Sequence, residues 1–181
     1  MPDPTDEALM TRVKQGDLDA MAPLFERYQS PLLNFFHRLT GDREASRDLV
    51  QAVFERLLRY RQSFRDDGRF RAWIYQTARN ALSDHRRRTM RIAGMERPEE
   101  ENPAADYIDR DWRDRNAARD VREALQQLPE SDRDLIVLSR FHGLRYEEIA
   151  LIMNKSLSAV KTQAHRAVHA LRRAYFQEET A

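Results

Sequence analysis

The chain of 181 residues contains no cysteine. Disulfides and thiolate metal sites are thereby excluded. Glycine is scarce, at five residues, and β-branched runs are few, which leaves little material for strands and hairpins. Helix formers dominate instead, and the expected fold class is all-α. No long apolar run occurs, and the opening segment MPDPTDEALM is acidic and polar. Neither a signal peptide nor membrane insertion is expected, and the expected compartment is the cytoplasm. An excess of charge of one sign is missing too. The formal net charge is +1, although 34% of the residues are charged. Any affinity for nucleic acid must therefore reside in local patches.

A local absence says more. Residues 155–176 hold no aspartate or glutamate, but they hold Lys155, Lys161, Arg166, Arg172 and Arg173. A surface without carboxylates over that length suits a phosphate backbone. Before it, Glu147 and Glu148 open a short helix, where acids suit the helix dipole, and Ile149, Ala150, Ile152 and Met153 complete it. Asn154 tolerates the left-handed conformation that ends a helix, and Ser156 is a good N-cap for the next. A short helix, a tight turn and a longer basic helix make a helix-turn-helix, which presents a recognition helix to the DNA major groove. In the second helix Leu157, Val160, Ala164, Ala167, Val168, Leu171 and Tyr175 recur at helical spacing and are expected inward. Ser158, Lys161, Thr162, Gln163, His165, Arg166, His169 and Arg172 are then expected outward. Lysine and arginine suit phosphates, and Gln163 or Arg166 can read base edges through paired hydrogen bonds. The competing reading is a polar, solvated face of an ordinary bundle.

Residues 95–106, MERPEEENPAAD, combine two prolines, an asparagine and a run of acids, a composition that suits a linker. Two helical domains are therefore expected, residues 5–91 and 113–176, joined by an acidic linker over residues 92–112. In the first domain Thr5 can cap a helix that Gly16 ends. Asp17 can cap a second, running to about Leu39, which Pro31 is expected to kink or interrupt. Gly41 and Asp42 mark a turn. A third helix is expected from Arg43 to about Tyr60, with Ala45, Leu49, Val53, Leu57 and Tyr60 as its apolar positions. Residues 61–68, RQSFRDDG, read as a polar loop with an exposed Phe64. A fourth helix carries Phe70, Trp73, Ile74, Thr77, Ala78, Ala81, Leu82 and His85 on one face. It closes on Arg86, Arg87, Arg88 and Arg91. Cations at a helix C-terminus suit its dipole, and the same cations can track a nucleic-acid strand; the pattern alone does not separate these. In the second domain residues 117–128 are expected to form a helix stopped by Pro129. Ser131 is expected to cap the next, with Asp134 three residues on, and Gly143 to stop it.

These motifs stand in a fixed order. DREASRDLVQAVFERLLRY (residues 42–60) precedes FRAWIYQTARNALSDHRRR (residues 70–88). LPESDRDLIVLSRFHGLRYEEIALIMNKSLSAVKTQAHRAVHALR (residues 128–172) follows the linker. Together they resemble bacterial RNA polymerase sigma factors of the extracytoplasmic-function group, within the sigma-70 family. The resemblance covers about residues 6–175. It implies that the first domain is the family's region 2 and the second its region 4. It implies three partners: core RNA polymerase (the clamp helices of its largest subunit and the flap of its second-largest), promoter DNA and, as a further candidate, an anti-sigma factor.

Site residues follow from the same resemblance. Asp48, Leu49, Gln51, Phe54 and Glu55 match the segment that docks on the clamp helices. Leu49 and Phe54 lie on different faces, so at least one is expected outward, with Asp48, Gln51 and Glu55 giving polar contacts. The loop of residues 61–68 and the helix carrying Asn80, Asp84 and Arg87 match the segment that reads and melts the −10 element. Melting takes a base out of the stack, at a cost of about a few kcal/mol. Phe64, Asp66 and Asp67 are candidates for the wall of a base pocket, and Arg65, Arg69, Arg86, Arg87 and Arg88 for holding phosphates. Trp73 can stack on a base or pack in the core, and its place on the apolar stripe favours the core. Lys155, Ser156, Ser158, Lys161, Thr162, Gln163 and Arg166 match the part that enters the major groove at the −35 element. Three positions depart from the family pattern: Arg145 where a serine or threonine cap is usual, Asn154 where glycine is usual, and Gln163 where a basic residue is common. Glutamine favours adenine where arginine favours guanine.

Enzyme signatures are lacking: the chain has no glycine-rich phosphate loop, nucleophile elbow or HExxH motif. His165 and His169 are spaced to hold a metal on a helix face, but their helix offers no acid or cysteine as a third ligand. No catalysis, cofactor or metal is expected. The expected function is to lend promoter specificity to core RNA polymerase. The main alternative is a stand-alone helix-turn-helix regulator that needs no polymerase. Another is a helical interaction protein that binds a partner of the anti-sigma type. Finally, the acids of residues 96–101 are opposite in sign to Arg86, Arg87 and Arg88; they can cover that patch or stay a solvated linker, which is the simpler reading.

Overall fold

A computed structural model describes residues 3–93 and 121–178. The acidic run at residues 96–101, nearly all of the linker expected over residues 92–112, and the start of the helix expected from residue 117 lie outside the described residues. Every regular element among the described residues is helical. The chain divides into two compact units, which for the most part precede and follow the acidic segment.

The first unit comprises α1 (Asp6–Lys14), a 3₁₀ turn (Leu18–Ala20), α2 (Met21–Thr40), α3 (Arg43–Arg59), a second 3₁₀ turn (Arg61–Ser63) and α4 (Phe70–Ala93). Local chemistry sets several boundaries. Thr5 caps α1, its Oγ1 accepting from the Ala8 amide at 3.2 Å. Gly41 ends α2 at a left-handed φ of 72°. Asp42 caps α3, with one carboxylate oxygen accepting from the amides of Glu44 and Ala45 at 2.8 and 3.0 Å. Asp17 does not cap through its side chain; its carboxylate pairs with Arg12 at 2.7 Å instead. Pro31 does not interrupt α2, which runs unbroken past it. A mid-helix proline costs about 3 kcal/mol. Leu24, Tyr28, Leu32, Phe35, Phe36 and Leu39 are buried on both sides of it, and each large apolar side chain contributes about 1.5–3 kcal/mol. Burial outweighs the break.

α3 packs against both α2 and α4, so two of its faces are inward. That corrects the expectation that Leu49 or Phe54 would point outward. Both are buried, and the Phe54 ring lies 4.8 Å from Phe25 of α2. Tyr60, expected inward, is 56% exposed just beyond the helix. Phe64 departs in the opposite sense: it is 2% exposed, tucked 5.9 Å from Phe70 and 5.3 Å from Trp73. The core is aromatic, with Phe35 edge-on to Tyr75 at 5.6 Å and Tyr28 edge-on to Phe70 at 5.5 Å. Burial pushes the Tyr75 hydroxyl up to about 12. It raises Tyr28 as well, reinforced by Asp6, whose carboxylate accepts from the Tyr28 hydroxyl at 2.6 Å.

Among the described residues after the acidic segment come α5 (helical over residues 121–126), α6 (Glu130–Ile136), a π-helical turn (Val137–Phe141), α7 (Tyr146–Met153) and α8 (Leu157–Glu178); all but Leu151–Met153 belong to the second unit. Pro129, not Ser131, precedes the first turn of α6; its carbonyl accepts from the amides of Asp132 and Arg133. Gly143 takes a left-handed φ of 61°, as a stop requires. Arg145 has no side-chain oxygen to cap α7, but Glu148 reaches back to accept from the Arg145 amide at 2.8 Å, half of a capping box. The turn between α7 and α8 is as the sequence reads: Asn154 at φ 52°, and Ser156 Oγ accepting from the Ala159 amide at 3.2 Å.

Candidate nucleic-acid interface

Two polar surfaces emerge, one in each unit. In the first unit a groove runs between the end of α3 and the middle of α4. Its walls include Arg56, Arg59, Tyr60 and Ser63 on one side and Trp73, Gln76, Thr77, Asn80, Ser83, Asp84 and Arg87 on the other. Trp73 is half-buried: one part of its ring packs on Phe64 and Phe70, and another faces the groove. Asn80 is exposed in the groove.

Asp84 is less free than its motif position suggests. Its carboxylate accepts from Arg56 at 2.7 Å and also from Arg87. The Arg56 guanidinium holds it below the usual aspartate range, Arg87 adds to this, and partial burial opposes both. Arg88 Nε turns back to the Asp84 carbonyl at 3.4 Å. Asp84 therefore organises the arginines of the groove. It leaves Arg59 lining the same groove.

The loop ahead of α4 has buried ends and an exposed tip. Phe64 is an anchor in the aromatic cluster, not the exposed pocket wall that the sequence suggested. Arg65, Asp66, Asp67, Gly68 and Arg69 are all exposed. Gly68 sits at φ 72°, the Asp67 amide donates to the Arg65 carbonyl at 3.0 Å, and Asp67 pairs with Arg69 at 3.7 Å. On α3, Asp48, Gln51 and Glu55 are exposed, and Gln51 donates to Glu55 at 2.9 Å. These three form a polar surface patch, while Leu49 and Phe54 of the same motif lie beneath it in the core.

In the second unit the start of α8 bears a shallow concavity lined by Lys155, Ser156, Ser158, Ala159, Thr162, Gln163 and Arg166. Lys161 is exposed alongside. Gln163 overturns its assignment as an outward base reader, for it is 5% exposed. Its Nε2 donates to Ser131 Oγ at 2.8 Å and to Asp132 Oδ1 at 2.7 Å, and its Oε1 accepts from Lys155 Nζ at 2.6 Å. α6 packs against α8, and this network is the polar part of that contact. Of the residues expected inward, Val160, Ala164 and Ala167 are buried, and Ala174 joins them. His165 and His169 face each other with Nε2 atoms 3.3 Å apart. No third metal-ligating side chain joins them among the described residues.

Arg56, Arg59 and Tyr60 line the groove although no sequence motif singles them out. Two arginines three apart, followed by an aromatic at a helix end, were the available signal. Helical periodicity assigned Tyr60 to the core because it ignores where the helix stops.

Two helical units, one with a polar arginine groove and one with a basic helix-turn-helix, define a bipartite DNA-binding protein. Comparison with known proteins makes the family specific. Residues 24–92 match Sigma-70 region 2 and residues 118–171 match Sigma-70 region 4. The chain is 31% identical to the RNA polymerase sigma-H factor of Pseudomonas aeruginosa, over 93% of each chain. It is 30% identical to the ECF RNA polymerase sigma-E factor of Escherichia coli K12, over 92% of each. Among solved structures it shares the fold of a Bartonella quintana sigma factor RpoE in complex with the anti-sigma factor NepR. That match has a TM-score of 0.71 at 22% identity and covers 85% of this chain and 95% of the other. CnrH, solved with the cytosolic domain of CnrY, gives the same TM-score at 23% identity, covering 93% and 95%. The chain belongs to the sigma-70 family of RNA polymerase sigma factors, in the extracytoplasmic-function group. It is a promoter-specificity factor for RNA polymerase in transcription initiation.

Proposed function

We propose that residues 5–91 act as region 2 and residues 113–176 as region 4, with the intervening acidic segment linking them. In this reading Asp48, Gln51 and Glu55 contact the clamp helices of the polymerase largest subunit, over a scaffold that Leu49 and Phe54 hold from below. The groove between α3 and α4 takes the −10 element. Trp73 offers a stacking face, Asn80 a polar edge, and Arg59 a charge for the backbone. The exposed tip with Arg65, Asp66 and Asp67 adds further contacts to the same element, its anchor Phe64 packing 5.3 Å from Trp73. In the second unit Ser158, Lys161, Thr162 and Arg166 contact the −35 element, and Arg166 is the best-placed reader of a base edge. The flap of the second-largest subunit is the further polymerase contact of this unit.

The observation that carries the reading is the groove, where an aromatic face, an exposed amide and arginines line one channel. That is the combination a single strand requires. The protein works in the cytoplasm and has no catalysis of its own. The Bartonella quintana sigma factor of this fold was solved with an anti-sigma factor, and we include such a partner for this chain. Asn80→Ala and Arg59→Ala should each lower transcription from promoters bearing an intact −10 element, with core polymerase binding retained. Unchanged transcription from both variants would remove the groove from the −10 contact.

A further inference from the structure

α1 and the loop ahead of α4 are joined by three hydrogen bonds that cross a wide gap in sequence. Lys14 Nζ donates to the Phe64 carbonyl at 2.8 Å. Gln62 Nε2 donates to the Lys14 carbonyl at 3.0 Å. The Phe70 amide donates to Glu7 Oε1 at 3.2 Å. Glu7, Met10 and Lys14 are spaced i, i+3 and i+7, so they share one face of α1. Met10 is fully buried between the two polar anchors.

What the anchors hold is the exposed tip. The Phe64 carbonyl stands just before it, and the Phe70 amide just after. Phe70 opens α4, so its amide is one of the donors that a helix N-terminus leaves without an internal partner. Arg69, the preceding residue, has no side-chain oxygen to cap it. Glu7 supplies the acceptor from another helix. Residues 65–69 thus form an arch with both feet fastened to α1, Phe64 packed beneath one foot and Phe70 beneath the other.

An arch that is ordered before DNA arrives avoids the ordering cost that a free loop would incur on binding. It also keeps its few polar groups in one geometry, which base discrimination requires. We infer that Glu7 and Lys14 are positioning residues for the Arg65–Arg69 arch, holding it in the form that distinguishes bases of the −10 element. The inference rests on the reading of this loop as a −10 contact.

The test compares holoenzymes built from sigma-free core RNA polymerase and either wild-type protein, the double variant Glu7→Ala/Lys14→Met, or the conservative variants Glu7→Gln and Lys14→Arg. Transcription is read from promoters carrying each base in turn at every −10 position, and from a matching −35 series. Positioning predicts that the best-to-worst base ratio in the −10 series falls about five- to tenfold in the double variant. The −35 series stays as in wild type, and both conservative variants keep the −10 ratio, since each retains its acceptor or donor. A uniform loss across all promoters with a lowered melting temperature would overturn the inference and leave α1 a structural helix. So would a −10 ratio equal to wild type. A wild-type holoenzyme that transcribes without −10 discrimination would overturn the promoter reading itself, and the inference with it.

Discussion

Gln163 of the recognition helix donates a 2.7 Å hydrogen bond to Asp132 of α6. The side chain that the motif places opposite DNA is instead turned into the protein. Ser131 and Lys155 complete its partners, so both ends of the amide are satisfied away from any base. Gln163 ties α8 to α6, and in the function proposed above its exposed neighbours contact the bases.

Gln163→Ala should therefore act on stability and not on base preference. It removes the amide's hydrogen bonds to Ser131, Asp132 and Lys155, each contributing about 0.5–1.5 kcal/mol. Thermal unfolding should show that loss, while the −35 consensus selected by holoenzyme stays unchanged. A shifted consensus with unchanged stability would restore Gln163 as a reader.

Arg166→Glu should weaken binding to promoter DNA and lower its salt dependence, by about one unit of slope for each phosphate that is no longer neutralised. Docking on core polymerase should persist, because α3 lies in the other unit. Fluorescence anisotropy with labelled promoter and with labelled core separates the two. A comparable loss of core binding would instead place Arg166 in the polymerase contact.

The docking motif divides by depth. Asp48→Ala with Gln51→Ala should reduce core binding and leave stability within about 0.5 kcal/mol, as exposed substitutions do. Phe54→Ala should cost about 3–5 kcal/mol and reduce docking only as a consequence. Calorimetry beside a core-binding titration tests this; a stable Phe54→Ala protein that fails to dock would place the ring in the interface.

Asp84 makes stability depend on pH. Its folded pKa is depressed, first by the hydrogen bond from Arg56. Its contribution is therefore present above the unfolded aspartate value of about 3.9 and is lost as pH falls through the lower folded value. The stability gap between wild type and Asp84→Asn should be constant at neutral pH and shrink in that acidic window. A gap that closes on raising the pH instead would contradict the pairing.

Local chemistry was legible in the sequence. Thr5, Asp42, Asn154 and Ser156 act on residues within a turn of themselves, and each does what its type and place imply. The misreadings are positions decided by distant partners. Phe64 looked exposed because its loop is polar, but Phe70 and Trp73 lie across it. Leu49 and Phe54 could not both point inward on a helix with one buried face, whereas α3 is covered from two sides. Ser131 looked like a cap, yet its hydroxyl accepts from Gln163, which is 32 residues away. Arg56 pairs with Asp84 across 28 residues, a relationship no local pattern encodes.

This chain directs core RNA polymerase to its own set of promoters. Sigma-free core, the purified protein and a pool of genomic fragments would be combined for transcription in vitro, and the 5′ ends of the transcripts mapped. Discrete start sites that share sequence motifs near −35 and −10 are the expected result. DNA binding without any start sites would contradict it and leave a helix-turn-helix regulator that acts without polymerase.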